Sequence, residues 1–305
     1  MTSISSSTSA FYDAAISNMA SLSTEAAKLQ NQISTGQRLQ SGADDPLAAS
    51  QLRALARAEA LAGADSAAAD AAKGDLTQAD DTLTAIANIT SRIQQLATQA
   101  ANATLNDSQR AAIGKEVAAL RGNLVSLANT RDASGNALFG GEGAGAAYTL
   151  DAAGNASYAG SASAASLTLG PGLSVTRSLT GPEFLRFTSG GTTTDLLALT
   201  KALGDALQAP SGAQAAASAA LDPLGAATSA ITTAQAVVGA RLSWLDTTGT
   251  IQTQLTQSRD EARSSIGGAD AATAISRLQQ TMTALQASQA SFTKLASLNL
   301  FDLIR

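Results

Sequence analysis

The two ends of this chain carry the same apolar rhythm, and its middle does not. From Phe11 to Leu127, and again from Leu221 to Ile304, apolar residues return at alternating three- and four-residue steps, the spacing of one helix face. Between about Leu138 and Gly191 the chain turns to Gly, Ser, Ala and Thr with short strand-like runs. A chain that leaves as helix, makes a β excursion and returns as helix can lay its ends side by side. The pattern predicts a mainly α fold: a long-helix coiled-coil bundle built from both chain ends, with a small β domain inserted in the middle.

Composition fixes how such a bundle packs. Of 305 residues only 3% are aromatic while 45% are hydrophobic. The core must therefore be made of small side chains on closely approaching helices, and Ala has the highest helix propensity. A net charge of -5 with no basic stripe excludes nucleic acid as a partner. The chain has neither Cys nor His, which removes disulfides, thiolate nucleophiles and the commonest general base and metal ligand. No metal, cofactor or catalytic residue is expected. No run reaches about 18 apolar residues, so no membrane partner is expected either. The first ten residues lack a cationic region followed by an apolar run, so a cleaved export signal is not expected. By these rules alone the protein reads as cytoplasmic.

The first helix is predicted on the stripe Phe11, Ala15, Met19, Leu22, Ala26, Leu29 and Ile33, with few charges on any face. Gly36 and Gly42 bracket a connection, after which Asp45 is placed as helix cap with Pro46 at the first helical position. The second helix runs through Leu52, Leu83 and Ile93 to about Ala103, on the order of 85 Å of rod. A third follows a turn capped by Asn106 or Asp107, with the seam Ile113, Val117, Leu120, Leu124 and Leu127.

In the middle, strands are predicted at 147–150, 166–169, 173–176 and 183–187. A short helix is expected over Asp195–Leu207. The return helix is expected to begin at Leu221 or Pro223 and to use Ile231, Ala234, Val238, Leu242, Leu245, Ile251 and Leu255. After Gly267-Gly268 the last helix carries Ile275, Leu278, Met282, Leu285, Gln289 and Phe292. The expected divisions are an assembly helix over 1–40, bundle halves over 41–135 and 193–268, a β-rich domain over 136–192, and a second assembly helix over 269–305.

Three features invite a catalytic reading and all fail. Asp44-Asp45 and Asp80-Asp81 are adjacent pairs, which on a helix point about 100° apart and share no site. The Gly-rich run 139–145 follows a helix rather than a strand and has no downstream Lys-Ser/Thr, so it is a crossing between segments rather than a phosphate loop. The remaining choice is packing within one chain or between chains. For Leu83–Leu127 and Ile231–Leu255 the seam is assigned to the chain's own core. For 3–33 and 283–305 the scarcity of charge and the apolar tail favour contacts between molecules.

Several of these residues carry a resemblance. The stretch 32–39, Gln-Ile-Ser-Thr-Gly-Gln-Arg-Leu, followed by Ala43-Asp44-Asp45-Pro46-Leu47-Ala48-Ala49-Ser50, resembles the signature of flagellar axial proteins. Ala137-Leu138-Phe139-Gly140-Gly141, Gly172-Leu173-Ser174-Val175 and the ending 298–304, Leu-Asn-Leu-Phe-Asp-Leu-Ile, resemble the hook-filament junction branch of that flagellin-like family, as does Pro46. Val238-Gly239-Ala240-Arg241-Leu242 is shared with flagellins and does not separate the two.

The resemblance implies a structural component of the bacterial flagellum rather than an enzyme. It implies export through the flagellar type III channel without a cleaved signal, against the cytoplasmic reading above, and an extracellular place on the flagellum. The implied partners are further copies in a tubular assembly, a sister hook-associated protein, flagellin and an export chaperone. The implied assembly interface pairs Phe11, Met19, Leu22, Leu29 and Ile33 with Phe292, Leu295, Leu298, Leu300, Phe301, Leu303 and Ile304 on terminal helices that order on assembly. Bulk flagellin is the alternative. A glycan-binding surface module is a more distant one, disfavoured by the few aromatics of the middle.

Overall fold

The computed structural model describes residues 2–143, 145–170 and 172–302, with side chains described from residue 10 to 294 within those spans. The chain forms two compact units, one of residues up to 60 and from 255 onward, the other of residues 61–254. Helices α2 (Pro46–Ala100) and α6 (Ala213–Gly267) contribute to both.

The larger unit holds the main core. Leu76, Leu83, Ile86, Ile93 and Leu96 of α2 are sealed from solvent, as are Val117 and Leu124 of α3 (Asp107–Ala128). α6 supplies Ala217, Ala220, Leu224, Ala227, Ile231, Ala234 and Val238, an unbroken three-four stripe made mostly of alanine. α3 starts at a reciprocal cap: Asn106 Oδ1 accepts from Gln109 N, and Gln109 Oε1 accepts from Asn106 N. α5 (Leu196–Gln208) packs along α3 and is capped by Asp195, whose carboxylate accepts from Leu197 N at 2.7 Å. The two helices approach closely at Gly114, where a Cβ would stand 2.9 Å from that of Leu207 and 3.0 Å from the Gly204 carbonyl.

The return helix differs from expectation. It begins at Ala213 and carries Pro223 in its interior. An interior proline costs about 3 kcal/mol, but the buried stripe from Ala213 to Val238 runs straight across it, and that packing holds the helix together. Farther on, the expected core residues Ile251 and Leu255 are exposed. The apolar rhythm persists there after the core has ended.

Among the described residues the middle forms three separate antiparallel ribbons: β1 (Tyr148–Leu150) with β2 (Ala156–Tyr158), β3 (Ser166–Thr168) with β4 (Ser174–Thr176), and β5 (Arg186–Ser189) with β6 (Thr192–Asp195). The predicted strand at 183–187 is half helix. α4 (Gly181–Leu185) forms because the Glu183 carboxylate turns back to accept from Thr180 N and its hydroxyl, and Pro182 sits in its first turn. Extended backbone begins only at Arg186. Phe184 meets Phe139 edge-on at 4.7 Å between ring centroids and anchors this turn in the core.

β2 and β6 carry no apolar alternation and escaped the sequence pattern. β2 is placed by its hairpin loop. Asp151 Oδ1 accepts from Asn155 N at 2.8 Å, Gly154 N donates to Asp151 O, and Gly154 takes a φ of 75°. The loop Asp132–Asn136 repeats this arrangement with Gly135 at φ 84°. Both read Asp-Ala-x-Gly-Asn.

Candidate assembly interface

The smaller unit is built on α1 (Thr2–Thr35) and α7 (Ala271–Asp302), which pack along each other. On α1 the face toward α7 is Tyr12, Ala15, Met19, Leu22, Ala26, Leu29 and Ile33, with strict steps of three and four. On α7 it is Ala274, Leu278, Thr281, Leu285, Ser288 and Phe292. Small residues at alternate positions of α7 let the helices come close. Leu29 is the most enclosed member at 4% exposure.

Of the expected interface residues, Met19, Leu22, Leu29, Ile33 and Phe292 lie on this seam. Phe11 does not. It is 51% exposed, and Tyr12 takes its place, with its ring edge-on to Phe292 at 5.4 Å. The reason is angular: Phe11–Ala15–Met19 needs two four-residue steps, which drift off the face, whereas Tyr12–Ala15–Met19 alternates. Phe11 instead lines a shallow 200 Å³ groove with Ala14, Asn18, Ser288 and Phe292. On α7, Ile275 and Met282 were expected in the seam and are exposed. The seam is therefore paired within one chain rather than left open, and apolar side chains flank it: Phe11 and Ile16 on α1, Ile275 and Met282 on α7. The side chains of Leu295, Leu298, Leu300 and Phe301 lie outside the described residues, as do Leu303 and Ile304 entirely.

The signature stretch folds into the corner where α1 gives way to α2 and α6 to α7. Gly36, at φ 66°, ends α1. Arg38 N donates to Gly267 O at 2.8 Å and Ala269 N to Gly36 O at 2.9 Å, so the two connections are stitched together. The Arg38 guanidinium donates to Ile266 O at 3.0 Å and to Asp45 Oδ2 at 3.2 Å. Asp45 Oδ1 accepts from Ala48 N at 3.0 Å at the start of α2, with Pro46 as its first residue. Asp44 accepts from the backbones of Ser41 and Gln40 and pairs with Lys28 at 3.1 Å. Across from these, Asp270 caps α7 through Ala272 N and Thr273. Lys28 and Arg38 were not singled out by charge pattern, because their partners lie far off in sequence or across a turn, while Asp270 is a local cap that went unread.

The corner is acid-sensitive. The Ser41 amide, then Lys28 and the Gln40 amide, hold the Asp44 carboxyl below its ordinary 3.8, at about 2. The Ala48 amide and Arg38 lower Asp45 in the same direction. A carboxyl lowered by folding stabilises the fold above its unfolded value and loses that contribution as pH falls through its folded value. The corner is thus expected to hold at pH 5 and to loosen between about 4 and 2. The amide resonances of Gln40 and Ser41 should titrate with a midpoint near 2. A midpoint at 3.8 would contradict the arrangement.

Among the described residues no group of carboxylates is placed to hold a metal ion, and no helix is long and apolar enough to cross a membrane. What the geometry offers is surface: two paired helices with apolar flanks, fixed at a hydrogen-bonded corner.

Comparison with known proteins shows what this architecture is similar to. Residues 7–144 match the bacterial flagellin N-terminal helical region. The chain is similar also to flagellar hook-associated protein 3: that of Salmonella typhimurium is 31% identical over 135 residues, 44% of this chain and 43% of the relative. The matching stretch thus spans less than half of that relative's length. The fold is shared with a solved flagellar hook-associated protein of Vibrio parahaemolyticus, at TM-score 0.68 and 22% identity, over 74% of this chain and all of that one. It is shared also with hook-associated protein 3 of Legionella pneumophila, at TM-score 0.63 and 14% identity, over 69% and 97%.

Proposed function

We propose that this protein is a structural component of the bacterial flagellum that acts as the adaptor at the hook-filament junction, joining a sister hook-associated protein to the first flagellins. The observation that carries this reading is the pairing of α1 with α7 together with the apolar flank of that pair, in a chain similar to hook-associated protein 3. Exposed apolar side chains on a helix pair call for a neighbour, and copies of the same chain in a tube supply one. In this reading Phe11, Ile275, Met282 and the apolar residues from Leu295 to Ile304 face neighbouring subunits, while Tyr12, Leu29 and Phe292 hold each subunit's own pair. The protein works by interface geometry, with no reaction. It leaves the cell through the flagellar export channel without a cleaved signal.

Deleting the chain tests this. Cells should then carry hooks without filaments and release unassembled flagellin into the medium. The unaltered chain should restore filaments, and Phe301→Asp should not. Filaments of normal length in the deletion strain would overturn the reading.

A further inference from the structure

The ribbon β3–β4 has an edge that no described strand pairs. Its register sets Leu167 opposite Val175. Arg177 N donates to Ala165 O and Leu169 N to Leu173 O, both at 2.9 Å, so residues 173, 175 and 177 turn their backbone groups toward β3. The N–H and C=O of Ser174 and Thr176 consequently point the other way. Beside that edge lies one face of α6, with Val237, Ala240, Arg241 and Trp244 at helical spacing. The edge and the helix face line an open groove of 390 Å³. Val237 is exposed, and Trp244 is half-buried.

Exposed edges are ordinarily blunted by Lys, Pro or a bulge. β4 reads Ser-Val-Thr and has neither residue. Outward N–H and C=O groups spaced two residues apart match an extended backbone. Among the described residues Arg241 is the sole charged residue lining the groove, and its Nη1 is held by Ser178 O at 2.8 Å, which fixes the guanidinium at the groove. No described carboxylate lines the groove to neutralise it. We infer that this groove binds an extended, acidic segment of a partner protein, which adds to β4 as a third strand. Its apolar side chain rests on Val237 and Trp244, and its carboxylate faces Arg241. The inference stands apart from the junction reading, since it concerns the larger unit only.

The test is a titration of the ¹⁵N-labelled full chain with the acetylated hexapeptide Thr-Val-Thr-Val-Thr-Asp, and with the same peptide ending in Lys. Trp244 is the chain's one tryptophan, so its fluorescence reads this groove alone. The amides of Ser174 and Thr176 should move downfield, the fluorescence should shift, and the Lys peptide should bind at least about fivefold more weakly. Val237→Asp should weaken the acidic peptide by about tenfold or more while leaving the β3–β4 amide spectrum in place. The inference is overturned by shifts at Ser166 and Thr168 instead, by none at Ser174 and Thr176, by equal affinity for the two peptides, or by an unaffected Val237→Asp.

Discussion

Replacing Leu29 by Asp is expected to open the α1–α7 pair and to abolish incorporation into the flagellum. Leu29 is 4% exposed on the seam. Its removal forfeits about 1.5–3 kcal/mol of apolar burial, and an unpaired carboxylate in the same place costs several kcal/mol more. A pair of helices has little to set against such a loss, because most helical stability comes from the packed face rather than from propensity. The main core, from Ala72 to Leu245, lies in the other unit and contains neither helix. Trypsin cleavage within α1 and α7 should therefore rise sharply in Leu29→Asp while Arg110 and Arg121 stay protected. Ala20→Asp, on the exposed face of α1, should leave the pair closed. A protease pattern unchanged by Leu29→Asp would contradict the seam.

The second large effect is expected at Arg177. Its guanidinium donates twice to Asp75 Oδ2, at 2.5 and 2.7 Å, and stands 3.6 Å from Asp132. Asp75 is 7% exposed, and the side chain of Asp132 9%. Arg177→Met keeps most of the stem but strands two enclosed carboxylates. Breaking a buried pair costs about 3–5 kcal/mol. With the Arg177 side chain 30% exposed, solvent screening reduces the expected loss to about 2–4 kcal/mol. Urea unfolding followed by circular dichroism should show the midpoint fall with an unchanged slope. A loss under about 0.5 kcal/mol would mark the cluster as a surface ion pair of little weight.

How far the sequence disclosed this molecule depended on whether the cause was local. α3 was legible from its seam and the start of α2 from Asp45-Pro46, because caps and periodicity act within a few residues. The seam was legible in kind but misplaced at Phe11, since a four-four step and a three-four step look alike until the partner helix picks a face. Ile275 and Met282 were misread because Ile275–Leu278–Met282 and Ala274–Leu278–Thr281 alternate equally well, and only the partner helix selects between them. Leu221 or Pro223 was expected to begin the return helix, and the packing that carries Pro223 inside the helix comes from the distant helices of the core. The Asp-Ala-x-Gly-Asn repeat was written in the sequence and went unread as a hairpin signal.

The corner shows the limit most plainly. Arg38 stood out only through resemblance, because it meets Ile266 across 228 residues and no pattern within a window can show that contact. The same resemblance pointed to the flagellum, where composition and the first ten residues read alone pointed to the cytoplasm.

The central claim is a place: the boundary between hook and filament. Immunogold labelling of intact flagella with antibody to this protein tests it most directly. The account predicts gold confined to the hook–filament boundary, whereas gold along the whole filament, or none on the flagellum, would contradict it.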